Sequence, residues 1–185
     1  MEEVSVILVD GHDNQIELMQ KTETHKRGLL HRAISVFICN SKGEWLLQQR
    51  SLNKYHSSNL WTNTYYSHPL PKETNLETAN RRLFEEMDIK CKMNELFSFQ
   101  YREVLDNGLI EHEFDHVFFG ITNDYPIINL QEVHEFKYME YSDLKKDVNL
   151  NPNNYTIWFK RIFERVNQLI KKDCFNLKIS LWSTI

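Results

Sequence analysis

Apolar positions along the chain follow two periods, one of strands and one of helices. Residues 4–9 form a β-rich run closed by the turn-type cluster Asp10-Gly11-His12-Asp13-Asn14. Residues 32–39 alternate as a strand, Asn40-Ser41-Lys42-Gly43 turns the chain, and residues 44–50 return it, which predicts a hairpin. A polar loop over 51–59 leads to the aromatic segment 60–66. Thr74 and Glu77 stand at capping-box spacing, and Leu76, Ala79 and Leu83 recur at helical spacing, so a helix is predicted to about Met87. Residues 96–104 and 110–121 read as strands, and Ser142 is placed to cap a short helix. Tyr155, Trp158, Phe159, Ile162, Phe163, Val166, Leu169 and Ile170 share one helical stripe, the mark of an amphipathic C-terminal helix. Past Lys172 the chain is apolar without a clear period, open to an extra strand or a loosely ordered end. Many strands with few helices between them predict an α+β domain, an antiparallel-rich sheet with helices packed on it.

Composition narrows the class of protein. The 185 residues suit one domain spanning 1–185, with its core over about 4–171, and no repeat or linker interrupts it. A net charge of −4 gives no electrostatic case for nucleic acid or an anionic membrane. No apolar run approaches the roughly 20 residues of a membrane span. Met1-Glu2-Glu3 lacks the basic start of a signal peptide, and Cys39, Cys91 and Cys174 are scattered and odd in number. Reduced thiols and a cytoplasmic location are expected.

The candidate chemistry begins with Glu111 and Glu113, which flank His112 in a predicted strand. Side chains two apart point the same way, so both carboxylates share a face and His112 takes the other. Such a pair is either a solvated strand face or a site where a cation neutralises two like charges. His25, His31 and His68 are candidate partners, and three imidazoles with two carboxylates suit an octahedral Mn, Mg, Fe or Zn site.

Three segments carry a resemblance. His25-Lys-Arg-Gly-Leu-Leu-His31-Arg-Ala, Trp61-Thr-Asn-Thr-Tyr-Tyr-Ser-His68-Pro69 and Glu111-His-Glu113 are similar to the metal-site segments of type 1 isopentenyl-diphosphate isomerases, in the same order. The likeness extends over about residues 4–171. That family has the Nudix fold, whose box reads G-x5-E-x7-R-E-U-x-E-E-x-G-U. Here Ser67, Glu73 and the run from Arg81 to Ile89 keep the spacing, while Ser67, Arg82 and Asp88 replace a glycine, a glutamate and a glycine. Arg82 puts a cation where hydrolysing relatives need a metal-binding carboxylate, which argues against diphosphate hydrolysis.

The resemblance implies roles for particular residues. His25, His31, His68, Glu111 and Glu113 would bind one divalent metal, Mn2+, Mg2+ or Zn2+, and Glu86 would help bind a Mg2+ that arrives with the diphosphate. Lys21, Arg50, Lys54 and Arg82 match positions that contact the diphosphate. Trp158 matches the tryptophan that faces a tertiary carbocation, and Glu113 with Tyr101 the proton-handling pair on one side of the substrate. On the other side the family uses the cysteine of Asn-x-x-Cys-x-His-Pro, and this chain has Tyr66 there. A phenol, with an ordinary pKa of about 10 against about 8.5 for a thiol, yields its proton less readily and takes more room. The implied activity is therefore isomerisation of isopentenyl diphosphate, impaired by Tyr66. A silent member binding prenyl diphosphates or a partner, and a Nudix-like enzyme on another diphosphate, stay open at this point.

Overall fold

The computed structural model describes residues 4–182, with side chains described to residue 172 except at position 106. Among the described residues nine strands form one sheet. In chain order they are β1 (Ser5–Val9), β2 (Gln15–Gln20), β3 (His31–Cys39), β4 (Trp45–Arg50), β5 (Trp61–Thr62), β6 (Tyr65–Ser67), β7 (Met93–Val104), β8 (Ile110–Ile121) and β9 (Val133–Met139). The sheet path runs β2-β1-β3-β4-β5, with β6 and β8 also paired to β3, β7 to β8 and β9 to β4. Pairing is antiparallel except between β3 and β8, so the sheet is mixed. Among the described residues four α-helices accompany it: α1 (Lys21–Arg27), α2 (Asn75–Met87), α3 (Tyr141–Leu150) and α4 (Ile157–Trp182).

β3 is central and buried on both faces, which explains its nearly continuous apolar sequence. Ala33 and Phe37 belong to a core with Trp158, Phe159, Ile162 and Val166 of α4 and Leu144 and Val148 of α3. Ile34, Val36 and Ile38 point the other way, into a core with Ala79, Leu83 and Met87 of α2. The sheet is thus sandwiched between helices. The period of two also divides β6: Tyr65 joins the α2 side and Tyr66 the α4 side.

Several expectations need correction. The predicted hairpin pairs only at its turn end, Ile38 with Leu46 and Cys39 with Trp45, because β6 and then β1 take that edge of β3 beyond it, while β8 runs along the other edge. Ser142 does not cap α3: Glu140 is the N-cap residue, without a side-chain cap, and Ser142 lies within the helix. Thr74 does cap α2, with the reciprocal Glu77 bond in place. α4 carries its backbone through Trp182, where the sequence left a strand or loose end open, and side chains from residue 173 lie outside the described residues.

Candidate active site

Strand register assembles the centre. β8 presents Glu111 and Glu113 on the α4 face, both fully buried, so the solvated-face alternative is excluded. Parallel pairing sets His31 beside Glu113, and antiparallel pairing sets Tyr101 across from it. His68 follows two residues after Tyr66 and is buried, as are His25 and His31. α1 brings His25 to β8 because Gly28 ends that helix at φ 60°, and the Gly28 carbonyl accepts from His112 Nδ1 at 2.9 Å. A Cβ at Gly28 would meet Ile110 Cγ2 at 2.9 Å, so only glycine allows this approach.

The atoms that meet are donors of lone pairs. His31 Nε2 lies 3.2 Å from His68 Nε2 and 3.4 Å from Glu113 Oε1, and His68 Nε2 lies 3.2 Å from that same oxygen. His25 Nε2 lies 3.2 Å from Glu111 Oε2. A carbonyl can only accept, so the bonds His25 Nδ1 to Lys21 O (2.7 Å) and His31 Nδ1 to Leu29 O (2.9 Å) fix the protons on Nδ1. In the neutral imidazole both Nε2 lone pairs then face the cluster, as those of ligating imidazoles do. His25 Nε2 and Glu111 Oε1 are buried with no hydrogen-bond partner. Nitrogen and oxygen donors left unsatisfied around one point fit a divalent cation.

Electrostatics separates the two carboxylates. Burial pushes Glu113 up to about 8. Burial acts the same way on Glu111, but His25, His56 and His31 together outweigh it and bring that carboxyl down to about 2. Burial also lowers His31 and His68, keeping both imidazoles neutral.

Lys21, Arg50, Lys54 and Arg82 line one cavity of about 210 Å³, with Tyr55 and Tyr66 in its wall. Burial brings the Lys21 ammonium down to about 8. Arg50 is buried, its guanidinium held by the carbonyls of Ser57 (3.1 Å) and His56 (3.3 Å) and its Cζ 5.2 Å from the centre of the Trp158 ring. Lys54 pairs with Glu132, and Arg82 with Glu86 and with Glu85 at 2.9 Å. Glu86 is buried beside Arg82 and accepts from Gln48 at 3.1 Å, but it belongs to neither metal-capable group of side chains.

The Tyr66 hydroxyl bonds Glu113 Oε1, while Tyr101 donates to Oε2 of the same carboxylate at 2.7 Å. The Tyr66 ring stacks on Trp158 with centroids 4.5 Å apart. Trp158 is fully buried and donates its Nε1–H to Thr62 Oγ1 at 2.9 Å. Among the described residues the cysteines offer no substitute. Cys39 lies eight residues along β3 from His31, about 26 Å at strand rise, and Cys91 packs near Gly120 at the same end.

Sequence reasoning missed His56. It is buried, its Nε2 lies 3.5 Å from Glu111 Oε1, and it forms a second metal-capable group with His25 and Glu111. It stands in the segment read as a polar loop, and no spacing signals it. Glu132, which engages both Lys54 and Arg82, was missed because no spacing or motif signals it.

Comparison with known proteins agrees with the geometry. The NUDIX domain model matches residues 29–159. An isopentenyl-diphosphate Delta-isomerase of Pectobacterium atrosepticum is 47% identical over 161 residues, covering 87% of this chain and 90% of the relative. This chain belongs to the NUDIX-fold isopentenyl-diphosphate Delta-isomerase family. A second family member, isopentenyl-diphosphate Delta-isomerase 2 of Aromatoleum aromaticum, is 46% identical, covering 89% of this chain and 87% of the relative. A solved structure from Deinococcus radiodurans overlays on 80% of this chain and 90% of its own, with a TM-score of 0.66 at 18% identity, a likeness of fold alone. In this isomerase-family chain the altered NUDIX box keeps its shape. Asp88 adopts φ 54° as the C-cap of α2, where the box has glycine, a conformation aspartate tolerates better than most residues. Among the described residues no helix is long and apolar enough to cross a membrane.

Proposed function

We propose that the chain is an isopentenyl-diphosphate isomerase of isoprenoid biosynthesis, a single NUDIX-type domain interconverting isopentenyl and dimethylallyl diphosphate in the cytoplasm. The observation that carries this reading is the convergence of His25, His31, His68 and Glu113, with Glu111 on His25, in a family member whose four candidate phosphate cations line one neighbouring cavity. Hard phosphate oxygens suit Lys21, Arg50, Lys54 and Arg82, and an arginine takes two oxygens at once. Glu86 is the carboxylate offered to Mg2+ travelling with the diphosphate. His25, His31, His68, Glu111 and Glu113 would hold a second divalent cation, Mn2+, Mg2+ or Zn2+, which when bound supplies positive charge that tunes the acidity of Glu113.

The chain's own groups then do the following. Glu113, held on Oε2 by the Tyr101 hydroxyl, moves the proton at one carbon of the allylic system. Tyr66 is the group left to handle the proton at the other carbon, and it meets the substrate only after leaving Glu113. Between the two transfers the tertiary carbocation needs a dry aromatic wall, and Trp158 provides one. The Tyr66 ring lies on that wall, so an isoprenyl tail enters only when the ring turns aside.

That stacking also favours a second reading, a family member that binds prenyl diphosphates without turning them over. One assay separates the two. Metal-loaded protein is given isopentenyl diphosphate in heavy water, and deuterium in dimethylallyl diphosphate is followed by NMR. Slow, enzyme-dependent incorporation supports the isomerase. Binding of substrate with no incorporation at stoichiometric protein rejects it and supports the silent binder.

A further inference from the structure

We propose that Tyr66 is itself a ligand of the cation held by the histidine–glutamate cluster, its phenol oxygen taking the sixth coordination position. The inference rests on the metal-site reading above and goes beyond it, because five side chains leave one vertex of an octahedron open.

In an octahedral site with bonds of about 2.0–2.3 Å, neighbouring donor atoms lie about 2.8–3.3 Å apart. The structure has this spacing in two pieces. His31 Nε2, His68 Nε2 and Glu113 Oε1 are mutually 3.2–3.4 Å apart, the triangular face of such a solid. His25 Nε2 and Glu111 Oε2, 3.2 Å apart, form an edge. The Tyr66 oxygen joins the two pieces: it bonds Glu113 Oε1 and lies 3.4 Å from His68 Nε2 and 3.4 Å from Glu111 Oε2. It thus touches three of the five donors, and because it sits closer to Glu113 Oε1 than two donors of one cation do, coordination draws the phenol oxygen back from that carboxylate. His56 approaches instead through the opposite oxygen of Glu111, Oε1, and so stands behind that ligand.

Aim and chemistry support the same assignment. β6 pairs Tyr66 with Ser35 of β3, and the ring is stacked on Trp158, so little side-chain freedom is left to lose on coordination. A phenol oxygen is a hard donor, of the class that goes with carboxylate and imidazole around Mn, Fe or Zn. On coordination the oxygen–cation bond forms, the O–H bond breaks and its proton leaves to water. An isoprenyl tail approaching Trp158 must then displace Tyr66 from the cation as well as from the ring face.

The test uses full-length protein stripped with a chelator and titrated with Zn2+ near neutral pH. Ultraviolet difference absorption reads tyrosinate, and elemental analysis after gel filtration reads bound zinc. Wild type and Tyr101→Phe are expected to bind one zinc with a tyrosinate signal that saturates at one equivalent. Tyr66→Phe, which keeps the stacked ring, is expected to bind zinc at least about 10-fold more weakly and without the signal. Zinc bound by wild type without tyrosinate would overturn the ligand assignment and leave the metal site standing. A signal that survives in Tyr66→Phe and vanishes in Tyr101→Phe would also overturn it. Failure of wild type to bind zinc at all would remove both the assignment and the site it rests on.

Discussion

Tyr101 and Glu113 face each other across the β7–β8 pair, and the phenol donates to Glu113 Oε2 at 2.7 Å. Both are buried, and burial holds the Tyr101 phenol well above its ordinary range, so it acts as a donor that keeps its proton. Tyr101→Phe removes that donor and little volume. The expected result is a fall in kcat of about 10²- to 10⁴-fold, the usual worth of a positioned acid or base, with thermal stability nearly unchanged. Deuterium incorporation in single turnovers measures it, and an unaltered rate would take Tyr101 out of the proton path.

Tyr66→Cys tests the other half of the chemistry. It places a thiol at this position and clears the face of Trp158. The variant is expected to isomerise at least about 10²-fold faster than wild type, since misplacement of a reacting group by about 1 Å alone costs that much. Tyr66→Phe keeps the ring and loses the hydroxyl, and any residual rate that depends on the hydroxyl should disappear. A wild-type rate equal to that of Tyr66→Cys would show that the phenol is no obstacle.

Arg82 serves two partners. Its guanidinium lines the cavity shared with Lys21, Arg50 and Lys54 and neutralises the buried Glu86. Burial opposes its charge, but Glu86 and Glu132 outweigh that and raise its pKa. Arg82→Ala should weaken binding of inorganic diphosphate by about 1.5–3 kcal/mol, the range for hydrogen bonds to charged groups. It should also lower the melting temperature, because Glu86 loses its countercharge. Calorimetry with inorganic diphosphate decides: unchanged affinity would confine Arg82 to the structural role.

Glu73 anchors the start of α2. Its carboxylate accepts from Arg81, from Thr78 Oγ1 at 2.8 Å and from the Leu70 amide at 3.1 Å. The Arg81 bond chiefly brings its pKa from 4.5 down to about 2. A carboxyl whose folded pKa is depressed stabilises the fold above its unfolded value and loses that contribution as pH falls through the folded one. Glu73→Gln should therefore cost about 1 kcal/mol near neutral pH, or about 2–4 °C in Tm, with solvent screening allowed for. The gap to wild type should close between about pH 4.5 and 2. A gap that persists at the acid end would mean that packing, not charge, holds the loop.

What could be read from the sequence had a period or a motif. The capping box of Thr74 is a motif, and the apolar run of β3 and the stripe on α4 each follow from how one element buries its residues. β2 was invisible because its sequence, Gln-Ile-Glu-Leu-Met-Gln, lies on an exposed edge with almost nothing to bury. α1 has only seven residues and no apolar stripe, its buried members being Thr24 and His25, so chemistry and not hydrophobicity draws it inward. β9 mixes Val, His, Glu, Phe and Lys without alternation. The shared face of Glu111 and Glu113 was legible from their spacing alone. The side of the carboxylate that Tyr66 occupies was not, because that depends on how β6 docks on β3.

The parallel register that sets His31 beside Glu113 continues to the bond of Ser35 with Asp115, eighty residues away along the chain. A contact of that separation closes a long loop and is intrinsically slow to form. The donor atoms are therefore together only after this long-range pairing is complete, and a cation has nothing to hold while the chain is still searching. Refolding in stopped flow should proceed at one speed at every zinc concentration, while unfolding slows as zinc is added. The ion would lengthen the lifetime of the finished molecule without shortening the time taken to reach it.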